Sequence, residues 1–149
     1  MIYIVLIIVI FSLEWMIKNH VEKHGDEKVN KPAFHNLILL TKFHNHGAFR
    51  GLGQKKSSIV KWVSILLTAV LTVLFVVTLG KCGKNLLKVG LSLMLGGAYS
   101  NTYDRIKRNY VVDYFRLNVK CRPIRNLIFN LSDFCIIIGA LLLLFSEHH

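Results

Sequence analysis

Acidic residues are scarce in this sequence. Its 149 residues include 8 Asp and Glu against 19 Lys and Arg, which gives a formal net charge of +11. Four of the acidic residues lie in a charged loop or near the C-terminus, and they are Glu22, Asp26, Glu27 and Glu147. The other four lie at the ends of apolar blocks or within them, and they are Glu14, Asp104, Asp113 and Asp133. A carboxylate is costly in such surroundings, so these four are the candidates for a functional site.

Cysteines are few and lack the spacing of a metal site or a disulfide framework. There are three, which are Cys82, Cys121 and Cys135. An odd number cannot all pair within one chain, and no C-x-x-C motif is present. His35, His44 and His46 likewise lack zinc-site spacing with Cys or carboxylate partners, so we expect solvated or interfacial histidines. The sequence therefore predicts neither a metal nor another cofactor.

Linkers and low-complexity segments that would separate domains are also absent. Hydrophobic residues make up 53% of the chain and the mean hydropathy is +0.46. They form four blocks, which are Ile2–Ile17, Trp62–Leu79, Leu86–Tyr99 and Leu127–Phe145. A helix needs about 20 apolar residues to cross the ~30 Å core of a bilayer. The sequence thus predicts an all-α membrane protein with four transmembrane helices, a single polytopic membrane domain over residues 1–149.

Most basic residues lie in the segments between these blocks. We expect them to contact phospholipid headgroups, and not nucleic acid, because the apolar blocks leave no soluble basic domain.

The first block has no basic residues before it and no small-residue cleavage site after it. We therefore expect a retained span and not a cleaved signal peptide.

Glu14 and Lys18 are four residues apart near the end of the first block, so they share a helix face. Two interpretations stay open. The pair is either an interfacial ion pair beside Trp15 or the anchor of a polar site at that membrane face.

The polar segment that follows, residues 19–57, contains short apolar runs broken by polar residues and Gly. This pattern predicts a small extramembrane β element between spans 1 and 2.

The third block predicts the central helix of the bundle. Small residues recur along it at every fourth position, at Ser92, Gly96 and Ser100. Such a stripe lets helices approach closely in lipid. Gly97, Asn101 and Arg105 are also four residues apart and share a face. Asn101, Asp104 and Arg105 therefore gather polar groups where this helix leaves the membrane.

Two carboxylates remain near the fourth block. Asp133 lies inside it, about two helical turns or roughly 10 Å from its polar end, and Asn130 faces the same way on the predicted helix. Asp113 lies in YVVDYF, which has the β-branched and aromatic character of a strand. Two carboxylates in one pocket cannot both ionise easily, so the pair can take a proton from water and give one to a leaving amine. Alternatively, Asp133 alone would suit the ion or proton site of a non-enzymatic transporter or scaffold.

Four motifs, in their order and in their placement against the apolar blocks, resemble the prolipoprotein signal peptidase (signal peptidase II) family. They are NHGAF at 45–49, GGAYSNTYDR at 96–105, YVVDYF at 110–115 and FNLSD at 129–133. The family comprises membrane aspartic endopeptidases that cut the signal peptide of lipid-modified bacterial prolipoproteins just before the lipidated Cys. The resemblance implies that Asp113 and Asp133 are the catalytic dyad and that no cofactor is needed. The residues expected to bind substrate or support the site are Lys18, Asn45, Gly97, Asn101, Asp104, Arg105 and Asn130.

The chain departs from the family pattern at several positions. Glu14 stands where the family usually has Asp, and Ser132 replaces a common Ala. The first motif has one Ala where two are usual, which leaves the register of Ala48 and Phe49 open. None of these departures removes a carboxylate of the expected dyad.

The resemblance also implies a multi-pass protein of the bacterial plasma membrane with its active site facing outward. The charge pattern points the other way. Segments expected outside carry most of the Lys and Arg, whereas the short loop expected inside has only Lys81, Lys84 and Lys88. The positive-inside rule favours the opposite orientation. We expect the orientation that the motifs imply, because charge bias is statistical and basic groups also bind headgroups.

Overall fold

Four long helices and one small antiparallel sheet make up the part of the chain that the computed structural model describes. The described residues are 1–26, 31–33, 35–47 and 57–146. Ala48 and Phe49 of the NHGAF motif therefore lie outside them. In chain order the elements are α1 (Ile2–His24), β1 (Lys31–Ala33), β2 (Ile38–Asn45), α2 (Ser57–Leu79), α3 (Asn85–Lys107), β3 (Val111–Leu117), α4 (Arg122–Arg125), β4 (Ile128–Phe129) and α5 (Leu131–Ser146).

Helix α3 is the central helix, as its stripe of small residues predicts. It packs against α1, α2 and α5. Ser92, Gly96 and Ser100 are all buried. A Cβ atom added to Gly96 would lie 2.7 Å from the Cβ atom of Ile10, so α1 and α3 touch at a distance that only glycine permits.

The contact between α3 and α5 is equally close. A Cβ atom at Gly139 would lie 2.5 Å from the carbonyl oxygen of Gly90 and 2.6 Å from Cγ of Met94. Without side chains at these two glycines, the helix backbones approach and gain dispersion contacts along their length.

Apolar side chains cover much of the outer surface. On α2, Trp62, Leu66 and Val73 are each more than 60% exposed, and α1 presents a similar face. By length and hydropathy, α1 and α2 can each cross a membrane, while α5 is apolar over a shorter 16 residues. Such an exterior is unfavourable in water and favourable in lipid.

The sheet combines two distant segments of the chain. Its strand order is β1-β2-β3-β4, and every neighbouring pair is antiparallel. The predicted strand at YVVDYF is confirmed as β3. The prediction that the β element lies between spans 1 and 2 was incomplete, because β3 and β4 come from the segment between α3 and α5. Pairing with β3 supplies hydrogen-bond partners to an edge of β2 that would otherwise stay open.

The fourth apolar block is not one helix. Ile128 and Phe129 pair with Arg116 and Phe115 of β3, and α5 begins only at Leu131. The prediction that Asn130 lies on the helix, with Asp133 two turns inside it, was therefore wrong. Hydropathy alone does not distinguish two apolar strand residues from the start of a helix.

Helices α1 and α3 extend well beyond their apolar blocks. The first continues from Ile17 to His24 and the second from Tyr99 to Lys107. Hydropathy marks apolar surface and not helix ends, so the blocks stop where polar residues begin. These polar extensions carry several of the predicted site residues and bring them to the sheet.

Replacing Gly139 by Ala is expected to destabilise the bundle, because the added methyl group meets backbone atoms of α3. Overpacking of this kind costs typically about 1–3 kcal/mol. The measurement is the melting temperature of purified protein in detergent. Gly80→Ala is the matched control, since nothing lies within 4 Å of a Cβ atom there. Equal melting temperatures for the two variants would contradict the expectation.

Candidate active site

A cavity of about 790 Å³ lies where the sheet meets α3 and α5. Both Asp113 and Asp133 line it, although they come from different elements. The other polar residues of its wall are Asn45, Asn101, Arg105, Arg116 and Asn126. Its volume falls in the usual range for pockets that bind small molecules or cofactors.

Asp113 lies on β3 and is 2% exposed. Its Oδ1 atom accepts a hydrogen bond of 2.6 Å from the Asn130 amide, and its Oδ2 atom accepts one of 3.0 Å from the Asn45 amide. Burial and then the charge of Asp133 raise the pKa of Asp113 to about 7, against the opposing effect of the two amides. Asp113 can therefore hold or release a proton near neutral pH.

Asp133 lies in the first turn of α5, where it completes a capping box with Asn130. Its N–H donates to Asn130 Oδ1 over 3.0 Å, and its Oδ2 atom accepts the Asn130 N–H over 3.1 Å. Two helix donors are thereby satisfied reciprocally. The carboxylate also faces the positive end of the helix dipole. This position explains why an apolar run tolerates an acid at residue 133.

Asn130 links the two aspartates. Its side-chain amide donates to Asp113, while its backbone N–H donates to Asp133. It is completely buried. One residue thus fixes both carboxylates against the same cavity.

Lys18 is 1% exposed and is surrounded by acceptors. Its Nζ atom donates to Ser100 Oγ over 2.9 Å and to Asn101 Oδ1 over 2.8 Å. It also lies 3.3 Å from a carboxylate oxygen of Glu14 and 3.2 Å from one of Asp104. Of the two interpretations of the Glu14–Lys18 pair, the structure supports the buried anchor of a polar site.

Lys18 also determines which way the Asn101 amide faces. Because Asn101 Oδ1 accepts from the ammonium, its Nδ2 atom is free to donate, and it does so to Asp133 Oδ1 over 3.1 Å. A buried cation on α1 is thus connected to the candidate carboxylate on α5 through a single amide.

The remaining predicted residues surround this network. Asp104 accepts the Val112 N–H over 3.2 Å, next to Asp113 in β3. Arg105 lines the cavity, and its guanidinium lies 3.4 Å from the carbonyl oxygen of Gly47. A Cβ atom at Gly97 would lie 2.5 Å from the carbonyl oxygen of Ser132, so this glycine lets the start of α5 approach α3.

Two residues of β3 near the site had no predicted role. Arg116 lines the cavity. The Tyr114 hydroxyl donates to Glu14 Oε1 over 2.8 Å and accepts the Leu131 N–H over 3.0 Å. The sequence indicated this role of Tyr114 only weakly, because its partner lies 100 positions away.

Among the described residues, no group of three or more His, Cys, Asp or Glu is placed to hold a metal ion.

Known proteins match the chain over nearly its whole length. A family model described as Signal peptidase (SPase) II matches residues 4–148. The lipoprotein signal peptidase of Caldicellulosiruptor bescii is 35% identical over 146 residues, which are 97% of this chain and 89% of the relative. That of Lactiplantibacillus plantarum is 30% identical over 144 residues, which are 96% of this chain and 91% of the relative.

A solved bacterial membrane enzyme, determined by the in meso method at 2.3 Å, has the same fold. It aligns with a TM-score of 0.82 at 20% identity, over 97% of this chain and 86% of that one. The fold, the motifs and the relatives agree. The chain belongs to the signal peptidase II family, the membrane aspartic endopeptidases that process lipoprotein precursors.

Proposed function

We propose that Asp113 and Asp133 are the catalytic carboxylates with which this signal peptidase II cleaves its substrate. One arrangement supports this assignment above all. Two largely buried carboxyl groups line a single cavity, both are held by Asn130, and the pKa of Asp113 is raised to about 7. Such a pair retains one proton between its members and titrates as a unit.

In the proposed reaction, Asp113 carries the shared proton and Asp133 is ionised. The Asp133 carboxylate takes a proton from a water molecule whose oxygen attacks the scissile carbonyl carbon. Asp113 donates a hydrogen bond to the carbonyl oxygen as negative charge develops there. When the C–N bond breaks, the proton on Asp133 passes to the leaving amine, and a carboxylic acid and an amine result.

The surrounding amides keep the two carboxyl groups in place for this chemistry. Asn45 and Asn130 donate to Asp113, and Asn101 donates to Asp133. We propose that Arg105, which lines the cavity, orients the substrate backbone. Lys18, Gly97 and Asp104 act indirectly: Lys18 and Asp104 fix Asn101 and β3, and Gly97 lets α5 approach α3. Preorganised donors of this kind lose no energy to reorientation during the reaction.

The proposed substrate is a lipid-modified bacterial prolipoprotein, cut just before its lipidated Cys. The peptide would enter the cavity while the acyl chains stay in the bilayer. The wall formed by Ile136 and Ile137 supports this mode of binding. Ile137 is half-exposed, so the apolar wall of the cavity continues onto the outer face of α5.

We further propose that the chain is a single polytopic domain of the bacterial plasma membrane. Its four long helices α1, α2, α3 and α5 would be the four spans. At about 1.5 Å per residue, the 16 residues of α5 cover roughly 24 Å, so the strand residues before it would lie at the membrane face. Basic residues of the loops would contact phospholipid headgroups. No role in nucleic-acid binding is proposed.

A transporter or scaffold that uses Asp133 alone as an ion site is less well supported. Asp133 has a carboxylate partner in the same cavity, and the family to which the chain belongs is enzymatic.

Removing either carboxylate is expected to abolish catalysis. Asp113→Asn and Asp133→Asn should each lower the cleavage rate of a lipid-modified precursor by at least about 100- to 10,000-fold, the usual contribution of a general acid or base. A gel-shift assay measures this rate. Asp26→Asn is the control, because Asp26 is exposed and does not line the cavity. Full activity in either cavity variant would refute the dyad.

Cleavage is expected to slow as the pH rises through about 7, because Asp113 then loses the shared proton. The raised pKa of Asp113 also makes the stability of the folded chain depend on pH. The folded chain binds this proton more tightly than the unfolded chain, so the associated stability is present at low pH and lost as the pH rises through about 7. Rates and melting temperatures measured across this range test both. Asp113→Asn lacks the titrating group, so its melting temperature should change less between about pH 5 and pH 9 than that of the wild type. An equal change in the two proteins would contradict the shift.

The native cysteines can report the orientation. Cys82 lies between α2 and α3, Cys121 lies between β3 and α4, and both are exposed. With the site facing outward, a membrane-impermeant maleimide should label Cys121 in intact cells and Cys82 only after permeabilisation. Cys82→Ser and Cys121→Ser identify each signal. Labelling of Cys82 alone in intact cells would favour the orientation of the positive-inside rule.

A further inference from the structure

The first N–H groups of α5 are satisfied by side chains from two other elements. The Leu131 N–H donates to the Tyr114 hydroxyl over 3.0 Å, and the Ser132 N–H donates to Glu14 Oε1 over 3.0 Å. The Tyr114 hydroxyl donates to the same Glu14 oxygen over 2.8 Å. A helix leaves its first four N–H groups without partners of its own, so these bonds attach the start of α5 to α1 and β3.

Tyr114 and Glu14 are themselves held in place. Glu14 is completely buried and pairs with Lys18, and Tyr114 is 8% exposed. Burial and then the charge of Glu14 raise the pKa of Tyr114, so its hydroxyl stays protonated and remains a donor. Neither side chain lines the catalytic cavity.

Tyr114 is adjacent to Asp113 in sequence and contacts the helix turn that carries Asp133. It directly follows Asp113 in β3, where successive side chains point to opposite faces of the sheet. Asp113 therefore faces the cavity while Tyr114 faces α1. Its other contact, Leu131, lies two residues before Asp133 in the first turn of α5. One side chain thus joins the two elements that carry the carboxylates, from the side away from the substrate.

We infer that Tyr114 is a positioning residue for peptide-bond cleavage, because its hydroxyl, with Glu14, fixes the start of α5 against β3 and hence the separation of Asp113 and Asp133. This inference rests on the proposed function. It also gives the unusual residue at position 14 a role. Glu is one methylene longer than the Asp usual in the family, and an Asp there would withdraw the acceptor from both Tyr114 and Ser132.

Tyr114→Phe tests this directly, since it keeps the ring and removes the hydroxyl. With α5 free to shift, kcat should fall by about 10- to 100-fold, because small misplacements of reacting groups are costly. KM should change by less than about twofold, since no substrate contact is lost. The alkaline limb of the pH profile should move to lower pH, because a larger separation weakens the repulsion that raises the pKa of Asp113.

Two further variants separate positioning from general stabilisation. Tyr110→Phe is the matched control, because the Tyr110 hydroxyl also donates to a glutamate, Glu22, over 3.2 Å, yet neither residue lines the cavity. It should leave kcat and the pH profile unchanged. Glu14→Asp should lower kcat at least as far as Tyr114→Phe, because it also withdraws the acceptor from the Ser132 N–H. The double variant should be little worse than Glu14→Asp alone, because contacting residues of one network are non-additive.

The outcomes are distinct. If the wild type cleaves the precursor and Asp113→Asn does not, an unchanged kcat and pH profile in Tyr114→Phe overturns the inference and leaves the proposed function intact. A loss of activity that matches a loss of folded protein, measured by thermal melting, also overturns it, because the hydroxyl would then serve stability alone. Failure of the wild type to cleave any lipid-modified precursor would overturn the proposed function itself.

Discussion

The buried ammonium group of Lys18 is the interaction on which the rest of the site depends. A cation taken out of water is unfavourable unless charged and hydrogen-bonding partners surround it, and breaking such a set by removing one member costs about 3–5 kcal/mol. Here the partners come from α1 and α3, where Glu14 and Asp104 supply the charges. The need to neutralise one lysine therefore fixes these two helices relative to each other.

Three of the four partners of Lys18 also bond to an element that carries a cavity aspartate. Asn101 donates to Asp133, Asp104 accepts from the backbone of β3, and Glu14 accepts from the backbone of α5. Both elements that carry a cavity aspartate, β3 and α5, are therefore bonded to partners of Lys18. The exposed apolar side chains of α1 and α2, such as Ile8 and Leu66, belong to no such network. The hydrogen bonds and ion pairs that fix the two aspartates are therefore found at one end of the bundle, where the helices meet the sheet.

The sequence was informative wherever the determining interaction was local. Apolar blocks located the helices, the four-residue spacing of Glu14 and Lys18 predicted their pairing, and the β-branched run around Asp113 predicted a strand. The start of α5 was predicted wrongly, because the two residues before Asn130 are drawn into the sheet by β3, and this long-range pairing leaves no trace in hydropathy. The contact of Tyr114 with Glu14 was missed for the same reason: it depends on how helices and sheet pack and not on any spacing.

The long sequence separation of these contacts has a consequence for biosynthesis. Asn45 bonds to Asp113, which lies 68 positions later in the chain. Glu14 bonds to Ser132, which lies 118 positions later. The cavity therefore has no complete wall until α5 packs beside α3. During synthesis Asp113 is made before Asn130 and Asp133, so the two cavity aspartates come together only when the last helix is in place.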